Sequence, residues 1–142
     1  MMLARLLASM KDDDGRVTID RFYDGIEPLT ETEKRAVAEA PDVDRDLMRE
    51  LWLGRTEGAG KKLVELLNSP SLNVRGMSSA RTGAQASNVV PATATATIDI
   101  RLVKGITKEM AEARVIAHIR SQGYFIVEGE PDAQTRRACL GD

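Results

Sequence analysis

A chain of 142 residues, 42% hydrophobic and 30% charged, is the size of one soluble globular domain that can bury a core without disulfides or metals. Its net charge of −2 removes the electrostatic case for a nucleic-acid partner or an acidic membrane surface, and no apolar run reaches a membrane span. The single cysteine, Cys139, excludes an internal disulfide and fits a reducing, cytoplasmic compartment.

Leu3, Leu6, Leu7 and Met10 recur at helical spacing and predict a helix over residues 2–11. That stretch lacks a basic lead and runs straight into Lys11-Asp-Asp-Asp14, so it reads as an amphipathic helix rather than a signal peptide. Asp12–Gly15 is a turn whose carboxylates lack the alternate spacing and distal Glu of a calcium loop. Arg16–Asp20 alternates like a short strand, and Phe22–Pro28 is irregular. Thr30 and Glu33 make a capping box for a helix to about Ala40, which Pro41 ends. Leu47, Met48, Leu51 and Trp52 mark another short helix, with Trp52 as a core or interface anchor. Arg55–Lys62 misses both the leading glycine and the Ser/Thr of a phosphate loop, and a helix follows over Lys61–Leu67.

The clearest pattern is Ala92–Val103. Ala92, Ala94, Ala96, Ile98, Ile100 and Leu102 alternate with Thr93, Thr95, Thr97, Asp99, Arg101 and Val103, which only a half-buried strand can use. Ser71–Gly76 reads as a partner strand with Leu72 and Val74 on one face, and Met77–Ser87 as a loop. Thr107 is a good N-cap for a helix to about Gln122, with Met110, Ala113, Ile116, Ala117 and Ile119 on its buried side and Gly123 as its stop. Tyr124–Val127 follows as another strand. The lone His118 has no metal-ligand companions and reads as structural, and the polar tail carries Cys139 as an idle thiol. One structural domain is expected, with a helical part at 1–69, a strand–strand–helix–strand core at 70–130 and a polar tail at 131–142. Neither a nucleophile–base pair nor a metal cluster is visible.

Five segments in order, DDDGRVTIDRFYD at 12–24, PLTETE at 28–33, PSLNVRGM at 70–77, SNVVP at 87–91 and IDIRLV at 98–103, carry a resemblance. Over residues 3–132 the chain resembles the lid, or dimerisation, domain of the di-zinc exopeptidases related to aminoacylase, carnosinase, glutamate carboxypeptidase and succinyl-diaminopimelate desuccinylase. The resemblance implies an α+β two-layer sandwich, a four-stranded antiparallel sheet with helices on one face (a ferredoxin-like lid). In the family this lid is inserted into a catalytic domain holding two zinc ions that hydrolyses small peptides or N-acyl amino acids. It also implies substrate contacts at Asn88 and, through a carboxylate or tetrahedral intermediate, at Arg101, a chemistry that suits a guanidinium. These positions are thirteen residues apart in a nearly extended segment, roughly 40 Å at about 3.3 Å per residue. One small ligand cannot touch both on one chain, so two copies sharing each site, a homodimer, are expected.

The departures shape the expected function. No family zinc-ligand or catalytic-glutamate motif is present, so no catalytic or metal residue is assigned and the chain alone is expected to be inactive. The lid's histidine-bearing first strand, which belongs between the strands at 92–103 and 124–128, is also missing. A truncated lid, cut at both ends, is therefore the leading expectation. The alternative is a free-standing α/β binding module that pairs through a sheet edge.

Overall fold

The computed structural model describes residues 1–58 and 60–140. Its helices are α1 (Met2–Ala8), α2 (Glu31–Glu39), α3 (Asp44–Glu50), α4 (Leu63–Leu66), α5 (Lys108–Ser121) and α6 (Ala133–Leu140). Its strands are β1 (Ser71–Ser78) and β2 (Thr95–Arg101), and they pair antiparallel. The chain is therefore an α+β fold.

Pairing puts Leu72 opposite Ile100, Val74 opposite Ile98 and Met77 opposite Ala96 on the apolar face. Ser71, Asn73, Gly76 and Ser78 face Arg101, Asp99, Thr97 and Thr95 on the polar face. Strict alternation along β1 would carry Met77 to the polar side. A bulge at Arg75 prevents this, because the extra residue shifts the register by one and returns Met77 to the apolar face.

Only the near half of that face meets the core. Leu72, 2% exposed, packs with Met10, Val17, Ile19 and Phe22, while Ile98, Ile100, Leu6, Leu7, Val115 and Ile119 lean on them. The segment between α1 and α2 turns back through a tight hairpin: Thr18 N–H donates to the Met10 carbonyl and Asp12 N–H to Arg16, both at 2.9 Å. The Asp12 carboxylate accepts from the Asp14 and Arg16 amides inside the turn. Polar contacts then fasten this segment. Tyr23 Oη accepts from Val17 N–H (2.9 Å), and Arg114 of α5 donates to the carbonyls of Phe22 (3.1 Å) and Asp24 (2.8 Å).

Helix ends follow the capping chemistry. Thr30 accepts from Glu33 N–H while the Glu33 carboxylate accepts from Thr30 N–H at 2.7 Å. That backbone hydrogen bond holds the Glu33 carboxyl below its ordinary value. The contribution is thus present above the unfolded carboxylate's range and is lost as pH falls through the lowered value. Thr107 caps α5 through Met110 N–H, and Gly123 follows it at φ +82°.

Several expectations are corrected. Among the described residues the sheet has two strands, not the three of the expected strand–strand–helix–strand core, and residues 124–127 form none, leaving Phe125, Ile126 and Val127 exposed. A strand exists only through a partner ladder, and none lies beside this segment. Arg16–Asp20 shrinks to a single bridge, Lys11 with Val17, because the chain turns again at Ile19–Phe22. The buried side of α5 is rotated: Ala111, Val115, His118 and Ile119 face inward, whereas Ala113 and Ala117 are exposed. The tail is not featureless, since α6 forms within it.

Trp52 is no core anchor; it is 93% exposed. It lies just past α3 at φ +57°, with Trp52 N–H donating to the Arg49 carbonyl and Leu53 N–H to that of Met48. This is a Schellman ending, in which the left-handed position usually belongs to glycine, and it swings the indole off the helix's apolar stripe. A side chain there costs about 1 kcal/mol.

The accessible surface is 11466 Å². A folded monomer of 15.5 kDa is expected to expose about 7,200 Å².

A close backbone approach locks the loop after β2 to the loop before α2. Gly105 has φ +90°, and a Cβ built on it would fall into the Gly25 carbonyl oxygen and lie 2.8 Å from Glu27 N, which itself bonds to the Lys104 carbonyl. Gly105→Ala should therefore lower stability by about 3 kcal/mol or more in urea unfolding. Gly123→Ala, equally left-handed but facing open space, should cost only about 1 kcal/mol. Equal losses would refute the backbone-contact explanation.

Candidate functional site

The polar face of the β1–β2 ribbon is built by alternation. Thr95, Thr97, Asp99 and Arg101 stand on one side of β2 because their neighbours Ala96, Ile98 and Ile100 turn toward the core side. Arg101 closes the row. Its side chain is 79% exposed, and its Nε lies 3.6 Å from Asp99 Oδ2, a loose pairing that leaves the guanidinium fork available.

Asn88 lies in the exposed loop that joins the ribbon's far end, next to Val89 and Val90. A short 3₁₀ turn at Gly83–Gln85 shapes that loop, and Ser79 Oγ donates to the Thr93 carbonyl at 3.0 Å, extending the ribbon by a rung. From Thr93 to Arg101 the ribbon runs about 26 Å. Arg101 thus stands at one end, and the base of the loop that carries Asn88 at the other.

His118 is buried and its Nε2 lies 2.9 Å from Ser9 Oγ. Since Ser9 donates its proton to the Leu6 carbonyl (2.7 Å), Nε2 is the donor to Ser9, and the imidazole ties α5 to the end of α1. Among the described residues no three His, Cys, Asp or Glu side chains converge as metal ligands.

Two features escaped the sequence reading. The bulge at Arg75 had one local signal, the glycine that follows it inside a strand pattern. The exposure of Trp52 had none, because leucines and a tryptophan at helical spacing look alike whichever side of the terminus they fall on.

The sequence pattern of the peptidase dimerisation domain (M20) matches residues 1–125. The chain belongs to that family. The rat β-Ala-His dipeptidase is 28% identical over 124 residues, covering 84% of this chain and 25% of that protein. An M20 family metallo-carboxypeptidase from Sulfolobus solfataricus superposes with a TM-score of 0.75 at 28% identity, over 90% of this chain and 33% of that one. The di-peptidase Dug1p from Saccharomyces cerevisiae gives 0.67 at 26% identity, over 84% and 26%. The dimerisation domain described here spans about a quarter of the length of the curated relatives it matches.

Because Arg101 of this dimerisation domain is exposed and only loosely paired, Arg101→Ala should change the stability of the chain by no more than about 0.5 kcal/mol in denaturant unfolding. A loss above about 2 kcal/mol would mean that Arg101 belongs to a buried network instead.

Proposed function

We propose that this chain is the lid and dimerisation element of a dipeptidase-type zinc metallopeptidase. It supplies substrate contacts and a dimer contact to a catalytic domain that carries the two zinc ions. The exposed guanidinium of Arg101 at the end of the polar ribbon face carries this reading. A planar fork in that position can take a peptide carboxylate through two parallel hydrogen bonds. Asn88, at the far end of the ribbon, offers an amide to the same substrate only from a second copy, so each site is completed by two chains. Small dipeptides, as in the names of the relatives, are the substrate class. The half-buried free thiol of Cys139 supports a reducing, cytoplasmic setting, and no described helix is long and apolar enough to cross a membrane.

A second reading is favoured by the second edge of β2, which has no partner strand among the described residues. In that reading the chain is a free-standing α/β module that binds an extended segment by strand addition.

The purified chain with added zinc should not hydrolyse β-alanyl-histidine. Added to a relative of this family whose own lid has been deleted, it should raise kcat/KM. Arg101→Ala should then remove about tenfold or more of the gain, the scale of a charge-assisted hydrogen bond. Hydrolysis by the chain unaided, or two tightly bound zinc ions per chain, would overturn the proposal.

A further inference from the structure

The hairpin after α1 holds a guanidinium on an aromatic platform. Arg16 Cζ lies 5.3 Å from the centroid of the Tyr23 ring, within the range of a cation–π contact. The ring is itself fixed: Phe22 meets it edge-on at 5.3 Å and 82°, and Tyr23 Oη takes the Val17 amide at 2.9 Å. Stacking of this kind orients a guanidinium and leaves its N–H fork to an oxyanion. Among the described residues Arg16 makes no ion pair.

Arg16 and Tyr23 line a hollow of about 560 Å³, inside the span of about 300–1,000 Å³ usual for small-molecule sites. Three segments remote in sequence meet there. They are the hairpin, the stretch that carries Glu57, Gly58 and Lys61, and the run Ser69-Pro70-Ser71 that leads into β1. Leu66 and Pro70 supply apolar wall, and Lys61 brings a second cation that makes no ion pair among the described residues. The wall opposite the hairpin is pinned to it: Arg55 Nη2 donates to the Asp13 carbonyl at 2.7 Å and Gly58 N–H to that of Asp14 at 3.0 Å.

Three carboxylates also border the hollow, and each is engaged. Glu57 takes Lys11 Nζ at 2.7 and 2.9 Å, Asp12 accepts from the Asp14 and Arg16 amides, and Asp14 lies 3.9 Å from Arg55. Against these three stand Lys11, Arg16, Arg55 and Lys61, so the balance is positive by one. Among the described residues the carboxylates do not converge as metal ligands, which disfavours a cation as the occupant.

We infer that this hollow binds a small organic oxyanion, a carboxylate or a phosphate ester. Its oxygens meet the Arg16 fork and Lys61, and its apolar body meets Leu66 and Pro70. The site is separate from the Arg101 guanidinium, which does not line it. It stands at the foot of the same ribbon, since Ser71 is the ladder partner of Arg101. A ligand there bridges the hairpin to the start of β1 and stabilises the folded chain.

The test titrates the full chain with phenyl phosphate, benzoate and inorganic phosphate, read by calorimetry and thermal unfolding. One of the two organic anions should bind one-to-one, at least about tenfold more tightly than inorganic phosphate, and raise the melting temperature. Whichever is tighter names the head group, phosphate ester or carboxylate. Arg16→Gln should weaken that binding by about tenfold or more. Arg16→Lys, which keeps the charge without the planar fork, should also bind less tightly than the parent chain. Lys61→Gln should weaken binding several-fold, and raised salt should do the same. Arg101→Ala should leave it unchanged, so failure here does not touch the role proposed for Arg101. Three results overturn the inference: no saturable binding of either organic anion, binding no tighter than that of inorganic phosphate, or binding that survives Arg16→Gln.

Discussion

The constraint on which the rest depends is the register of β1 on β2. Alternation along β2 separates Ile98 and Ile100 from Asp99 and Arg101 without ambiguity, but β1 has no such rhythm past Val74. Had the two strands paired residue for residue, Met77 would sit among the threonines and Gly76 over the apolar face. The single extra residue at Arg75 resolves the conflict, since a one-residue shift exchanges the faces of everything beyond it. Two consequences follow from the same bulge. The polar face stays uninterrupted from Thr95 to Arg101, and the apolar face runs on past the point where the core can cover it.

How the core is held together follows from how little of it there is. Its buried side chains come mostly from the stretch Met10–Phe22 and from Leu72, and that stretch contains one bridge rather than a strand. Its backbone groups therefore look elsewhere for partners. Arg114 takes two carbonyls, Tyr23 takes an amide, and the Gly25–Gly105 approach brings Glu27 N–H to the Lys104 carbonyl. The His118–Ser9 contact does the same for the end of α1. All but the Tyr23 contact, which spans six residues, join segments remote in sequence, and they reinforce the apolar core that α5, the hairpin and the ribbon share. Arg101 is presented from a base fixed in this way.

What could be read from the sequence divides along a physical line. Caps are local chemistry, and Thr30 with Glu33, Thr107 and Gly123 all act as the residue order predicts. Alternation is nearly as local, so β2 is legible to within a few residues at either end. A strand at 124–127 is not a local property. Tyr-Phe-Ile-Val has the right residues, but a ladder needs a second segment, and none lies beside it among the described residues. On α5 alanines lie on two faces, and only the packed neighbours decide which is inside. α6 was hidden because Ala-Gln-Thr-Arg-Arg-Ala-Cys-Leu has little apolar periodicity. As for the site, spacing shows Arg101 only as a strand arginine on a polar face, and Asn88 only as a loop residue. Their expected role came from the resemblance. The structure adds their exposure and their placement at the two ends of the ribbon.

A folded chain of this mass that exposes about 4,000 Å² more than expected has more open surface than one standard interface of about 800 Å² per partner could cover. An isolated two-stranded ribbon is at best marginally stable in water, so the far half of this one needs an apolar surface beneath it. The two faces of that ribbon ask for different neighbours. The underside, with Val74 and Met77, must be dried to be stable, whereas Arg101 on the other face must meet a carboxylate to do more than stay hydrated. A single partner wrapped around the ribbon would bury the guanidinium along with the methionine. One bulge keeps these two demands on opposite faces of the ribbon.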